Sequence, residues 1–312
     1  MDSLAGLLNS PRAQDAFMMR ALLDPPWSIR IQDRSPLSVV AVARGEAWVM
    51  YEGEKPVHVG EGDIAITRGP DAYVFASGPD TEPQAIIHPG GRCETPDCRS
   101  LADEMSLGVR SWGNDPEGAS MMLIGAYEHT GEVGARLLSA LPRLAVLTRE
   151  IWECPLLPFL AEEIVKEEPG QELVLDRLLD LLTVAALRAW FSRPEAEAPA
   201  WYRAQSDPVV GRALKLLHHN PAHSWTVADL AAQTGVSRAS LARRFAELVG
   251  EPPMSYLTGW RLALAADLLR EPEATVGAVA RKVGYATPFA LSTAFKRAHG
   301  VSPQEHRASV PA

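Results

Sequence analysis

The last ninety or so residues of the chain repeat themselves. Thr226 to Gly235 (TVADLAAQTG) is matched by Thr275 to Gly284 (TVGAVARKVG) at an offset of 49. After one inserted residue the offset becomes 50, and Leu241, Phe245 and Gly250 are matched by Leu291, Phe295 and Gly300. Thr226 and Thr275 stand where a hydroxyl can cap the N–H groups of a helix start. Ala231 and Ala280 are small enough for a second helix to approach. Gly235 and Gly284 suit the left-handed conformation that ends a helix and turns the chain. The apolar pair that follows, at i and i+4, gives a second helix one inward face. Helix, glycine turn, helix is the helix-turn-helix unit. One copy is compatible with a plain helical hairpin, but two in register point to a paired DNA reader. Between them, Met254 to Arg270 predicts a helix of about 17 residues, roughly 25 Å long. That length can hold two reading helices about one duplex turn apart on the same face of DNA.

The same stretch carries Ser237-Arg238-Ala239-Ser240-Leu241-Ala242-Arg243-Arg244-Phe245, then Pro253, Gly284-Tyr285, Phe295-Lys296-Arg297 and Gly300-Val301-Ser302-Pro303. With these residues it resembles the DNA-binding domain of the AraC/XylS family over about 100 residues, which implies a transcription regulator acting on double-stranded promoter DNA. With Leu241 and Phe245 inward, a 100° step per residue turns Ala239 and Arg243 away from the core, with Ser240 and Ala242 beside them. Arg243 is therefore expected at a base edge, a guanine by its chemistry. Arg238, Arg244 and the N-cap Ser237 are expected at phosphates. On the second helix the same construction exposes Phe289 and Thr293, flanked by Thr287, Ser292 and Lys296. Phe289 suits a thymine methyl and Lys296 a phosphate, although a core aromatic is the alternative reading of Phe289. Pro288 is tolerated in the first turn, where its missing N–H has no helical partner.

Upstream, Pro36 to about Tyr127 reads as short β-branched or aromatic strands divided by turns. They are Leu37 to Val42, Ala47 to Tyr51, Val57 to Val59, Ile64 to Thr67, Tyr73 to Ala76 and Ala85 to Ile87. Strands so short and evenly spaced predict a closed or sandwiched β-barrel. From Glu132 the spacing turns helical. Leu137, Leu138, Leu141, Leu144 and Leu147 mark one apolar face, and Leu156, Leu157, Leu160, Ile164 and Val165 another. Leu173 to Phe191 is apolar on more than one side and calls for a wide partner, the barrel or a second subunit. Arg193 to Pro199 reads as a Pro-rich linker. The expected organisation is a barrel over 1–130, a helical, dimerising segment over 131–193, a linker over 194–206 and an all-α DNA-binding domain with two helix-turn-helix units over 207–312.

The barrel resembles the cupin-like sensor found ahead of this DNA-binding module in one AraC subfamily. The resemblance rests on Pro26-Trp27, Gly45-Glu46-Ala47-Trp48, Gly60-Glu61-Gly62-Asp63-Ile64, Leu141-Pro142 and Asp176-Arg177-Leu178-Leu179. Metal-binding cupins need imidazole and carboxylate on facing strands. Here Leu37 to Val42 and Asp63 to Phe75 hold no histidine, Tyr73 stands about where the later one belongs, and His58 and His129 are isolated. No catalytic residue, metal or cofactor is therefore expected. Cys93 and Cys98, in a Gly/Pro loop with His88, Arg92 and Arg99, form the one chemically suggestive cluster. The pair could close a disulfide or hold metal with His88, and the arginines would favour thiolate, while the plainer and preferred reading is two unreactive cysteines in a flexible loop.

Charge is divided. Residues 207–312 hold twelve Lys and Arg against eight Asp and Glu, a net +4, while the first 206 carry −13 of the total −9. A basic end on an acidic body suits a DNA reader joined to another module. Three cysteines make no disulfide framework, Met1 to Arg12 has no secretory pattern, and Leu178 to Phe191 is too short and charged to span a bilayer. The expectation is a cytoplasmic homodimer that contacts no membrane, answers a small-molecule effector and, if an activator, meets RNA polymerase. Two rivals stay open: a Cys93/Cys98 thiol sensor on the same DNA reader, and a metal-dependent cupin enzyme fused to it.

Overall fold

The computed structural model describes residues 16–128, 131–271 and 273–308, so the expectations for Met1 to Arg12 and for His129 lie outside the described residues. The chain divides into two compact units: residues 16–128 with 141–196, and 131–140 with 197–308.

Among the described residues, the first unit is built on twelve strands: β1 (Ala16–Leu23), β2 (Ser28–Ile31), β3 (Leu37–Arg44), β4 (Ala47–Met50), β5 (Val57–Val59), β6 (Ile64–Arg68), β7 (Tyr73–Ala76), β8 (Ala85–Ile87), β9 (Cys93–Glu94), β10 (Ser111–Gly113), β11 (Ser120–Tyr127) and β12 (Leu144–Leu147). They form two six-stranded sheets, ordered β10-β1-β11-β3-β6-β12 and β5-β4-β7-β2-β8-β9. Each of the six strands expected from the sequence is present within a residue or two. β1 was not expected: Ala, Met, Arg and Leu favour helix in isolation. Pairing over its whole length with β11, from Ala16↔Tyr127 to Leu23↔Ser120, overrides that preference. The facing sides of the sheets enclose an apolar core that includes Trp27, Val40, Val49, Phe75 and Met122.

Between β11 and β12 the chain makes a short helix, α1 (Glu132–Leu138), which belongs to the second unit. Here the sequence reading needs correction. Leu144 and Leu147 do not continue a helical face; Leu144–Leu147 is a strand pairing antiparallel with β6. Pro142 cannot continue a helix, and the burial of Leu144 to Leu147 alternates with the period of two of a strand.

Two helices then complete the first unit, α2 (Leu157–Glu163) and α3 (Gln171–Phe191). α3 lies so close on β11 that a Cβ at Gly125 would stand 2.2 Å from Leu179 Cδ1. Beside this contact Tyr127 Oη and Thr183 Oγ1 share a buried hydrogen bond of 2.8 Å. Leu175, Leu179, Leu182 and Leu187 are buried, whereas Leu173 and Leu181 are more than half exposed. The barrel therefore satisfies one face of this helix and leaves a second apolar face open.

The second unit starts earlier than 207. Within the expected linker, α4 (Ala200–Arg203) and a following 3-10 turn pack Trp201 and Ala204 into the core of the first helix-turn-helix. The unit continues with α5 (Val210–His219), α6 (Val227–Thr234), α7 (Arg238–Val249), α8 (Pro253–Leu268), α9 (Val276–Val283), α10 (Pro288–His299) and α11 (Pro303–Ala308). α8 joins two separate cores. Tyr256 and Leu257 belong to the core of the first reader, and Leu262, Ala265, Ala266 and Leu269 to that of the second.

Candidate nucleic-acid interface

Each half of the repeat builds its turn with the residues that the sequence marks for it. Thr226 Oγ1 accepts the Asp229 N–H, and the Asp229 side chain reaches back to the Thr226 N–H, a reciprocal capping box at the start of α6. Thr275 Oγ1 caps α9 through the Ala278 N–H. Gly235 and Gly284 close the two helices at φ 72° and 87°, where a side chain would be strained. Ser237 and Thr287 then cap the second helix of each unit, α7 and α10, accepting the N–H groups of Ser240 and Ala290 at 3.2 and 3.1 Å. Leu241, Phe245, Leu291 and Phe295 are fully buried.

With those four side chains inward, the opposite faces are open. On α7, Arg238, Ala239 and Arg243 are exposed and Ser240 is half-buried. Arg243 stands 70% exposed, paired with Glu247 one turn on at 2.9 Å. Exposed i,i+4 pairs are weak, so this arginine can exchange its partner for another at little cost. On α10, Phe289 is 81% exposed, which removes the core reading of that ring. Thr287, Thr293 and Lys296 are exposed as well, and Ser292 is half-buried with its hydroxyl donating to the Pro288 carbonyl.

Arg244 differs from its expected placement. It is turned inward along its domain, and its Nε and Nη2 donate to Asp207 Oδ2 at 2.9 and 2.5 Å. The other carboxylate oxygen accepts the N–H groups of Val209 and Val210. Burial works against ionisation of Asp207, but the Val210 N–H, Arg244 and the Val209 N–H outweigh it and hold the carboxyl below its usual range. Arg244 thus ties α7 to the start of α5, and Asp207 is a positioning residue that sequence reasoning did not single out.

The mutual setting of the two readers is also fixed. Arg261, on α8, donates to the carbonyls of Pro221 and His223 at 2.7 and 2.8 Å. This holds the loop before α6 against the turn after α9, where a Cβ at Gly284 would meet Ala222 Cα at 2.7 Å. α1 packs on the same helix, with Val133 against Trp260 and Ala263. Its first two free N–H groups, of Glu132 and Val133, donate to the Asp267 carboxylate at 2.6 and 3.2 Å. A carboxylate at a helix N-terminus satisfies orphan donors and opposes the dipole favourably.

In the barrel, Cys93 and Cys98 are free thiols, the first buried and the second exposed. At Cys93 the expected thiolate is not favoured: burial together with Glu94 pushes its thiol up to about 11, and Arg92 and Arg99 pair with Glu94 and Glu104. Tyr73 is buried and its phenol accepts a hydrogen bond from Thr67 Oγ1 at 3.2 Å; burial raises its pKa further from neutrality. His58 pairs with Glu46 at the surface. Among the described residues no three His, Cys, Asp or Glu side chains converge as metal ligands, and no helix is long and apolar enough to cross a membrane.

Comparison with known proteins agrees with both halves. A cupin family model matches residues 2–192, and a helix-turn-helix domain model matches residues 230–309. A putative AraC-like transcription regulator of Streptomyces lividans is 31% identical over 315 residues, covering 98% of each chain. The HTH-type regulator AlkR of Acinetobacter baylyi is 34% identical over 181 residues, covering 56% of this chain and 59% of its own. The DNA-binding domain of AdpA, solved in complex with a target DNA, is 35% identical and covers 33% of this chain and 93% of its own, at a TM-score of 0.31. With full-length similarity of that order on a cupin domain followed by two capped helix-turn-helix units, the chain belongs to the AraC-like family of DNA-binding transcription regulators.

Proposed function

We propose that the protein is a promoter-binding switch: α7 and α10 read base sequence, and an effector held in the barrel sets how well they do so. The reading rests on one observation above the rest. Two capped helices, each with its apolar pair buried and its opposite face open, stand at either end of a single rigid helix, α8. Arg243 contacts a base edge and Phe289 a thymine methyl; Arg238, Lys296 and the N-terminal hydroxyls of Ser237 and Thr287 lie along phosphate. Ser240, Ser292 and Thr293 line the flanks of the two readers. Arg244 is assigned to Asp207 instead of phosphate.

The open apolar face of α3, with Leu173 and Leu181, supports pairing of two copies. A paired protein binding adjacent half-sites then gives the effector a lever, because it alters how the readers meet DNA. In this reading the protein is not an enzyme, acts in the cytoplasm, and touches RNA polymerase where it activates. The raised Cys93 thiol, with Arg92 and Arg99 paired to Glu94 and Glu104, weighs against the thiol sensor.

Selection of binding sites from random duplexes tests the assignment. Arg243→Ala is expected to relax preference at one position of the half-site at a cost of about 1–3 kcal/mol. Unchanged base preference in that variant, with binding otherwise intact, refutes the role given to Arg243.

A further inference from the structure

The barrel interior holds an apolar cavity of about 150 Å³ lined by, among others, Phe17, Met19, Phe75, Trp112, Met122 and Ile124. Cavities of this size and lining accommodate a body the size of a single aromatic ring. It shares Phe17, Asp33, Ile87 and Gly91 with a second space of about 200 Å³ at the barrel mouth, beside the exposed turn of Pro89, Gly90 and Gly91. The mouth is completed by Ser35, Pro89, Gly90 and Glu128. A deep apolar chamber therefore leads to an opening that carries two carboxylates.

The charges at this opening are one-sided. No Lys or Arg is among the described residues lining either space. Arg92 and His88, which flank the Gly90-Gly91 rim in sequence, are both paired with Glu94. Asp33 is oriented by its own turn: Oδ1 accepts the Ser35 N–H at 3.1 Å and Oδ2 the Ser35 hydroxyl at 2.6 Å. A carboxylate offers about four acceptor sites, so both oxygens keep capacity for a further donor. Phe17, which lines both spaces, adds an aromatic face of the kind that attracts cations.

We propose that the barrel takes a small apolar molecule bearing a protonated amine, with its ring or alkyl body in the chamber and its ammonium between Asp33 and Glu128 at the mouth. This rests on the reading of the barrel as the effector site and adds the chemistry that the site selects. A carboxylic acid of the same shape would bring a third negative charge to the mouth and is rejected. A neutral analogue fills the chamber but leaves the carboxylates without a charge-assisted partner.

Three probes of like body separate these cases: 2-phenylethylamine, 2-phenylethanol and 3-phenylpropionate, titrated calorimetrically into the full-length protein. The amine is expected to bind roughly tenfold or more tightly than the alcohol, and the acid most weakly. Asp33→Asn, which keeps the shape of the side chain, is expected to weaken the amine by about tenfold and the alcohol by less than about twofold. A merely structural role for Asp33 would weaken both alike. The inference is overturned if the alcohol or the acid binds as tightly as the amine, if Asp33→Asn affects amine and alcohol equally, or if none of the three binds. DNA affinity measured with and without saturating amine keeps the two readings apart. Selective amine binding with unchanged DNA affinity upholds this inference and removes the effector reading. Tightest binding by the alcohol, with altered DNA affinity, overturns the inference and upholds the effector reading.

Discussion

Replacing Arg244 with alanine removes both hydrogen bonds, of 2.9 and 2.5 Å, that its guanidinium donates to Asp207 Oδ2. The Asp207 side chain is only 13% exposed, while that of Arg244 is 43% exposed, so the pair is neither fully buried nor fully in water. Breaking a buried pair costs about 3–5 kcal/mol, and an exposed pair contributes at most about 1 kcal/mol. Asp207 keeps the N–H groups of Val209 and Val210 after the change and is not orphaned. Discounted for solvent screening, the expected loss is about 1–2 kcal/mol from the DNA-binding unit. Hydrogen exchange of the core amides of Leu241 and Phe245 in the full-length protein reads that loss as faster opening. The slope of log K for DNA against log salt should stay unchanged, because no phosphate contact is removed. The deficit also has a pH signature. Asp207 is held below its usual pKa in the folded state, so its contribution is fully present above the ordinary carboxylate value near ~4 and fades as pH falls through the folded value. Wild type and variant should begin to converge as pH falls past about 4 and meet only below the folded value. Unchanged core protection, together with a salt slope reduced by about one, would refute this account and return Arg244 to the phosphates.

Two further substitutions probe how each unit is assembled. Gly125→Ala places a methyl 2.2 Å from Leu179 Cδ1, and the overpacking is expected to destabilise the barrel unit by about 1–3 kcal/mol. Thermal unfolding checks this, and adding Leu179→Ala should give non-additive recovery; simple additivity of the two changes argues against the contact. Asp267→Ala removes the acceptor for the Glu132 and Val133 N–H groups and is expected to cost α1 about 1–2 kcal/mol. Faster hydrogen exchange at those two amides reports the release, and unaltered exchange counts against the capping role.

The parts of the fold legible in the sequence are those whose cause is local. Thr226, Thr275, Gly235 and Gly284 act through the helix ends they cap or close, and Leu241 with Phe245 and Leu291 with Phe295 fix the inward face of each reading helix. The short β-branched strands were legible for the same reason. β1 was hidden because its residue types prefer helix and only the ladder to β11 decides otherwise. Leu144 to Leu147 looked helical because four apolar residues cannot reveal their period, and pairing with β6 settled it. The early start of the DNA-binding unit was missed because Trp201 and Ala204 sit among linker-like prolines.

The candidate site divides along the same line. Arg243 and Phe289 point outward as the 100° step requires, since nothing distant competes for them. Arg244 is one position on, and the helical wheel alone puts it on a flank facing DNA or protein equally well. A carboxylate 37 residues earlier decides its direction. Asp267 acts in the same manner on α1 from 135 residues away. Both acidic residues subtract from the positive charge that marks the domain in sequence, yet each is placed where it satisfies backbone donors and a helix start or guanidinium. The net charge of the domain therefore understates the charge presented to DNA, because part of the acidic complement is spent on internal N–H groups and does not face the duplex. In the proposed reading, the exposed Arg238 and Lys296, and not the sum over residues 207–312, are the cations that a salt-dependence measurement on the intact protein will count.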